Sequence, residues 1–265
     1  MFASRITLHA AAALFLLGSQ ALADSVSIPG TGDGIEIFQE LARVFSQQAT
    51  STTIDIPPSI GSGGGIAAVS DGRAVLGRIA RPLSAAENEA GLKAVPLMKI
   101  PSVIFVHPAV GVANLTAEQL VGIYNGIYTD WSELGGAPTR IRVVRRDSED
   151  STLKVLRATM PGWKDLTLTP RSKIAVTTQE AVRTVRETEG AVGFGPLSAT
   201  IDAGVKVLKI EGFDPASPGY PSFVTVSLIY RASELPRSAE IFIEFAQTDA
   251  ARAAVRKLGA LPVAN

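Results

Sequence analysis

Cysteine is absent from all 265 residues, which excludes a disulfide scaffold and an N-terminus anchored through a lipidated cysteine. Histidine is almost absent. Only His107 follows the first 23 residues, and no cysteine or carboxylate cluster accompanies it, so no metal site is expected. An excess of charge of either sign is missing too. With Arg5 set aside, 24 basic residues face 25 acidic ones. That balance argues against nucleic-acid binding but leaves room for a local anion site. Long apolar runs are lacking as well: Ala10 to Leu17 is too short to span a bilayer, and nothing later approaches ~20 apolar residues. Catalytic templates are missing in turn. Ser62 has Ile60 rather than glycine two residues before it, so no G-x-S-x-G elbow exists. Ile35 and Ile66 stand where G-x-G-x-x-G needs its last glycine, and no P-loop lysine follows either turn. The chain is expected to be no enzyme and to use no cofactor.

What is present begins with an export signal. Arg5 is a short positive region, Ala10 to Leu17 an apolar core, and Ala21-Leu22-Ala23 an A-x-A site. Residues 1–23 are therefore expected to be a signal peptide cleaved after Ala23, with the protein released into the periplasm. The remaining 24–265 suffice for two lobes of ordinary domain size. Short apolar strands alternate with helix-period runs, which predicts an α/β layered architecture. Ile35, Phe38, Leu41 and Phe45 mark one amphipathic helix, and Pro101 to Val106 a buried central strand. Thr116 with Gln119, and Thr177 with Glu180, have the spacing of capped helix starts.

Three turns rich in backbone donors stand out. The first, Gly30-Thr31-Gly32-Asp33-Gly34, precedes the helix at Ile35, and the second, Ile60-Gly61-Ser62-Gly63-Gly64-Gly65, runs into Ile66-Ala67-Ala68-Val69. The third, Asp147 to Thr152, follows the strand-like Ile141 to Arg145. Glycine lets the backbone approach a ligand closely, and the first helical turn presents N–H groups without intrahelical partners. Three such starts with an arginine beside one of them suggest a single anion pocket.

The same residues resemble the substrate-binding proteins of phosphate ABC importers. The likeness rests on Ile60 to Gly65 with Ala80-Arg81-Pro82-Leu83-Ser84, and on Leu115-Thr116 through Tyr124-Asn125-Gly126. It continues through Thr129-Asp130-Trp131-Ser132-Glu133-Leu134-Gly135-Gly136, Val143 to Asp147, Gly190 to Phe194 and Leu258 to Pro262. The resemblance implies a type II periplasmic-binding-protein fold. Two α/β lobes would be joined by two crossover strands near His107-Pro108 and Ser222-Phe223, with the ligand in the cleft between them. Lobe one would comprise 24–107 and 223–265, and lobe two 108–222. The implied function is capture of an inorganic oxyanion, phosphate first, by a monomer that delivers it to an ABC permease. A signalling or interaction protein on the same fold, or a receptor for sulfate, is the alternative.

Carried over by position, the ligand set would be Thr31, Gly32, Asp33 and Gly34 at the first turn and Ser62, Gly63 and Gly64 at the second. On the far side it would be Arg145 held by Asp147, with Asp150, Ser151 and Thr152. Two departures from the family pattern stand out. Ala80 replaces an aspartate that accepts the proton of monohydrogen phosphate, which predicts weakened discrimination against sulfate. The serine-glycine-threonine after the arginine loop is altered to Glu149-Asp150-Ser151, or to Asp150-Ser151-Thr152 with one residue inserted. Arg78, two residues before Ala80, either enters the cleft as a second cation or is solvated. Asp33 and Asp150 either cap helices or replace the missing proton acceptor. Arg146 is expected to face solvent, and Trp131, Tyr124 and Tyr128 to pack inside lobe two.

Overall fold

The computed structural model describes residues 24–48, 51–201, 203–215, 217 and 219–263; the expected signal peptide lies outside them. The chain opens with β1 (Ser25–Ser27), α1 (Ile35–Phe45), β2 (Thr53–Asp55), α2 (Gly61–Ser70), β3 (Gly77–Ile79) and α3 (Ala85–Glu89). The long β4 (Leu92–Val106) leads to β5 (Asn114–Leu115), α4 (Ala117–Asn125), β6 (Arg142–Arg145), α5 (Ser151–Thr159), β7 (Ser172–Ile174) and α6 (Thr178–Glu187). Then follow β8 (Ala191–Pro196), β9 (Lys206–Val207), β10 (Lys209–Ile210), β11 (Phe223–Arg231), α7 (Arg237–Ala246), α8 (Asp249–Lys257) and β12 (Leu261–Pro262). No helix among the described residues is long and apolar enough to cross a membrane.

The main sheet runs in the order β3-β11-β4-β8-β6-β7. Its residues feed two large cores, with Ile79, Leu92 and Ile229 in a smaller third cluster. One gathers Ile28, Phe38, Met98, Val226 and Phe242, and the other Ile104, Leu120, Trp131, Val144 and Phe194. Strand β4 belongs to both. Its first part pairs with β11 from Leu92 to Pro101, and its second with β8 from Ser102 to Val106. Strand β4 thus changes partners at Pro101–Ser102. Proline has no N–H to donate to a ladder, so Pro101 is a natural place for β4 to change partners. Pro96 acts similarly: the pairing with β11 slips between Val226 and Ser227, opposite it. Just before β11, Ser222 O accepts from the Ser102 N–H at 2.9 Å.

The helices form for local reasons. Ile35, Ile37, Phe38, Leu41 and Phe45 give α1 one buried face, with Glu36 in its first turn and Arg43 in its last. The Thr116–Gln119 capping box starts α4, Thr177 caps α6 and Thr248 caps α8. Helix α2 begins at Gly61, so it contains the glycine run that the sequence assigned to a turn before Ile66. Glycine inside a helix costs about 1 kcal/mol relative to alanine. The reason for tolerating it at Gly65 is contact: a Cβ there would lie 2.9 Å from Gly30 Cα and 3.0 Å from the Arg78 carbonyl oxygen. Trp131 is packed inside lobe two, its indole N–H donating to Gly190 O at 2.9 Å, and Tyr124 packs tilted against Trp163.

Candidate functional site

A cavity of about 340 Å³ lies between the two lobes. Lobe one contributes Thr31, Gly32 and Asp33 from the loop before α1, and Ser59 to Gly64 at the start of α2. Lobe two contributes Arg146, Asp147, Glu149, Asp150 and Ser151 before and within α5, and Val176 to Thr178 at the start of α6. The N-cap Ile60 of α2 offers no side-chain cap and Ser59 Oγ takes only the Gly61 N–H at 3.3 Å, so the following N–H groups of the first turn are left for whatever the cavity holds. The dipoles of α2, α5 and α6 add positive potential at the same place.

The lobes touch directly around this cavity. Ser62 Oγ and Ser151 Oγ are 2.9 Å apart, and Ser62 Oγ also accepts from the Ala80 N–H at 3.1 Å. Ala80, standing where the family pattern has an aspartate, therefore reaches the site only through its backbone. Asp33, 1% exposed, accepts from Thr178 Oγ1 at 3.0 Å and from Thr152 Oγ1 at 3.2 Å, both across the cleft. It caps no helix: Gly34 holds the N-cap position of α1, with φ +74° and no side-chain bond. Gln179 adds bonds to Gly32 O and Glu36 Oε1.

Arg146, not Arg145, is the cation of this cavity. Strand alternation places Arg146 on the Val144 side of β6, and it is only 7% exposed. Its guanidinium donates to Ala175 O at 3.0 Å, Val176 O at 3.1 Å and Thr178 Oγ1 at 2.9 Å. It forms an ion pair with Asp150 at 2.9 Å. The expectation that Arg146 faces solvent is thus reversed. Arg145 is half-buried and outside the cavity lining, with its Nε donating to Ser172 Oγ at 2.9 Å. Nor does Asp147 hold an arginine, since its Oδ1 accepts from the Glu149 N–H at 2.8 Å and shapes the loop. Asp150 caps α5 through the Leu153 N–H at 2.9 Å, one of the two roles open to it, and also pairs with Arg146, which the sequence did not suggest.

Arg78 neither enters the cavity nor meets solvent. It is 0% exposed and donates to Thr31 O at 2.7 Å, to Pro57 O at 2.7 Å and to Ile28 O. One buried guanidinium thereby ties the loop before α1 to the segment leading into α2. Burial lowers it to about 10, so it stays charged at neutral pH. Thr152 and Gly34 also lie outside the lining, Thr152 behind it as a donor to Asp33 and Gly34 against Ile100. The sequence reading missed Ser59, Arg146 and the Val176–Thr178 start of α6. The Thr177–Glu180 spacing announced that helix start, but not that it would join the cavity.

Two buried carboxylates thus share one arginine. Burial pushes the Asp33 carboxyl up, opposed by Arg146 and the two threonine hydroxyls. Burial and then the Asp33 charge push Asp150 up to about 7. An anion entering here meets serine hydroxyls, helix N–H groups and a guanidinium. It also meets carboxylates that must hold a proton or accept one from the ligand, because like charges so close repel. Among the described residues no group of three or more His, Cys, Asp or Glu is placed to hold a metal.

A family model described as a PBP superfamily domain matches residues 18–250. The chain belongs to that superfamily. The fold is the type II periplasmic-binding-protein architecture, two α/β lobes with the cavity between them. Among this superfamily member's relatives, the phosphate-binding protein PstS of Bacillus subtilis (strain 168) is 25% identical over 260 residues, covering 94% of this chain and 84% of the relative. A crystal structure of a putative phosphate ABC transporter substrate-binding protein with bound phosphate, from Clostridium perfringens, is 28% identical with a TM-score of 0.82. That match covers 91% of this chain and 100% of the other. The ABC-type phosphate transport receptor of Vibrio cholerae is 25% identical with a TM-score of 0.64, over 89% and 99% of the two chains.

Proposed function

We propose that this protein captures inorganic phosphate between its lobes and presents it to an ABC importer. The observation that carries the reading is the interlobe cavity, where Ser62, Ser151, Arg146 and three helix N-termini converge. Its support from relatives is the name of the Bacillus subtilis protein and the phosphate bound in the Clostridium perfringens structure. Ligand contacts on both lobes favour the closed state, which is how a two-lobed receptor signals occupancy. The ligand-binding residues in this reading are Thr31, Gly32, Asp33, Ser62, Gly63, Gly64, Arg146 and Ser151. Asp150 orients Arg146, and Thr152 and Thr178 orient Asp33. Asp33 takes the place of the family aspartate missing at Ala80 and accepts the ligand's proton. The protein works as a monomer in the periplasm after cleavage behind Ala23, with an inner-membrane permease as its partner.

Calorimetric titration of stripped protein with phosphate and then sulfate tests this. Tight, saturable binding of phosphate is expected. No heat with either oxyanion would remove the reading, and mass spectrometry showing residues 1–23 retained on periplasmic protein would remove its localisation.

A further inference from the structure

The opposite ends of the lobe-two strands carry an independent feature. Arg146 and Val176 follow the C-terminal ends of β6 and β7, where the cavity lies. At the N-terminal ends of these strands stand Arg140, Arg142, Arg171 and Lys173. The two strands run parallel in the register Val143 to Ser172. Arg142 and Arg171 are each one residue earlier, so like charges stand on neighbouring strands. Such placement is unfavourable without a counter-charge. None is supplied in sequence, since the segments 134–146 and 166–179 contain no Asp or Glu. None is supplied in space either: Arg140, Arg142 and Arg171 form no ion pair among the described residues. The Arg171 guanidinium donates to the Gly126 carbonyl at 3.2 Å, and Lys173 donates to Thr184 Oγ1 at 3.0 Å and is 3.6 Å from Glu180.

Two concavities of about 370 Å³ each open here, one toward α4 and one toward α6. They share Arg140, Ile141, Val143 and Arg171, so together they form a saddle across the strand ends. The only carboxylate in their linings is Asp130, which is occupied by the Ser132 N–H at 2.9 Å and hydroxyl at 2.6 Å. Beside the saddle, β7 is the end strand of the sheet, and its Ile174 is 47% exposed. An end strand presents unpaired backbone groups that another extended chain can use.

We propose that this end of lobe two is a docking surface for an acidic, extended segment of a partner protein. The guanidinium fork matches a carboxylate in two parallel hydrogen bonds. A saddle lined by spaced arginines suits several carboxylates along a chain better than one compact ion, and the β-branched edge suits apolar residues between them.

The test is fluorescence anisotropy of the full chain without residues 1–23, using a labelled ten-residue peptide of alternating Glu and Val. A Lys–Val peptide, inorganic tripolyphosphate and phosphatidylglycerol vesicles serve as competitors or controls. The Glu–Val peptide is expected to bind at low salt, to weaken as salt screens the pairs, and to outbind the Lys–Val peptide. Arg140→Glu with Arg171→Glu should weaken it about tenfold, because exposed pairs are individually weak but here become repulsive. The Arg140→Gln, Arg171→Gln pair covers the case in which charge reversal disturbs folding. Phosphate affinity at the interlobe cavity should stay within about twofold, since these charges lie beyond effective reach at 0.1 M salt. Equal binding of both peptides, unchanged binding by both double variants, or occupancy by tripolyphosphate or vesicles in preference to the Glu–Val peptide would each overturn the proposal.

Discussion

In the proposed function Arg146 joins stability and ligand capture in one side chain, and the two contributions can be separated. In Arg146→Ala, Asp150 loses an ion pair formed at 2.9 Å between side chains that are 8% and 5% exposed. Removing one partner of a buried pair costs about 3–5 kcal/mol. Asp150 can take up a proton instead of remaining charged, so the lower end, about 3 kcal/mol, is expected at pH 8. For a domain of this size that is a fall of about 6–12 °C in Tm. Oxyanion affinity should fall as well, because hydrogen bonds to charged groups contribute about 1.5–3 kcal/mol, or ten- to over a hundredfold. The double change Arg146→Ala, Asp150→Asn separates the two. Asparagine still caps α5 but brings no charge, so most of the lost stability should return while affinity stays low. Arg145→Ala, which breaks only a half-buried bond to Ser172, should change neither by much. Melting curves and calorimetry on the three variants decide it. A double variant as unstable as Arg146→Ala, or an affinity loss from Arg145→Ala equal to that from Arg146→Ala, would refute the reasoning.

Asp33→Asn keeps an acceptor for Thr178 while removing a buried negative charge, so the preference for phosphate over sulfate should shrink by about tenfold or more in competition calorimetry; an unchanged ratio would exclude Asp33 as the proton acceptor. Arg78→Lys retains the charge but cannot span three carbonyls, and two left without donors should cost about 2–6 kcal/mol and weaken binding as the Thr31 loop loosens; melting and titration together check this. Asp150 lies at about 7 in the folded protein against an ordinary 3.8, so the folded state holds more protons between those values. Its contribution to stability is complete below about pH 4 and is lost as pH rises through about 7, so Tm should decline across that window and Asp150→Asn should flatten the decline.

Much of this protein was legible in local chemistry. Capping spacings at Thr116–Gln119 and Thr177–Glu180, apolar period at Ile35 to Phe45, and the two glycine turns depend on neighbours in the chain, and such signals survive without knowledge of the fold. So did the choice of donor-rich turns: Thr31 to Asp33, Ser62 to Gly64, and Asp147, Asp150 and Ser151 all line the cavity. The sequence could not say which of two adjacent arginines turned inward. Arg145 and Arg146 differ by one step of strand alternation, and the side that is buried depends on how β6 packs beneath α6. Arg78 looked available as a ligand cation because its partners are three backbone carbonyls, which no residue type reveals. Asp33 meets Thr152 and Thr178 across more than a hundred residues of sequence. Only the apposition of the two lobes brings those groups together, and it makes Asp33 a buried carboxylate in the cavity rather than a helix cap.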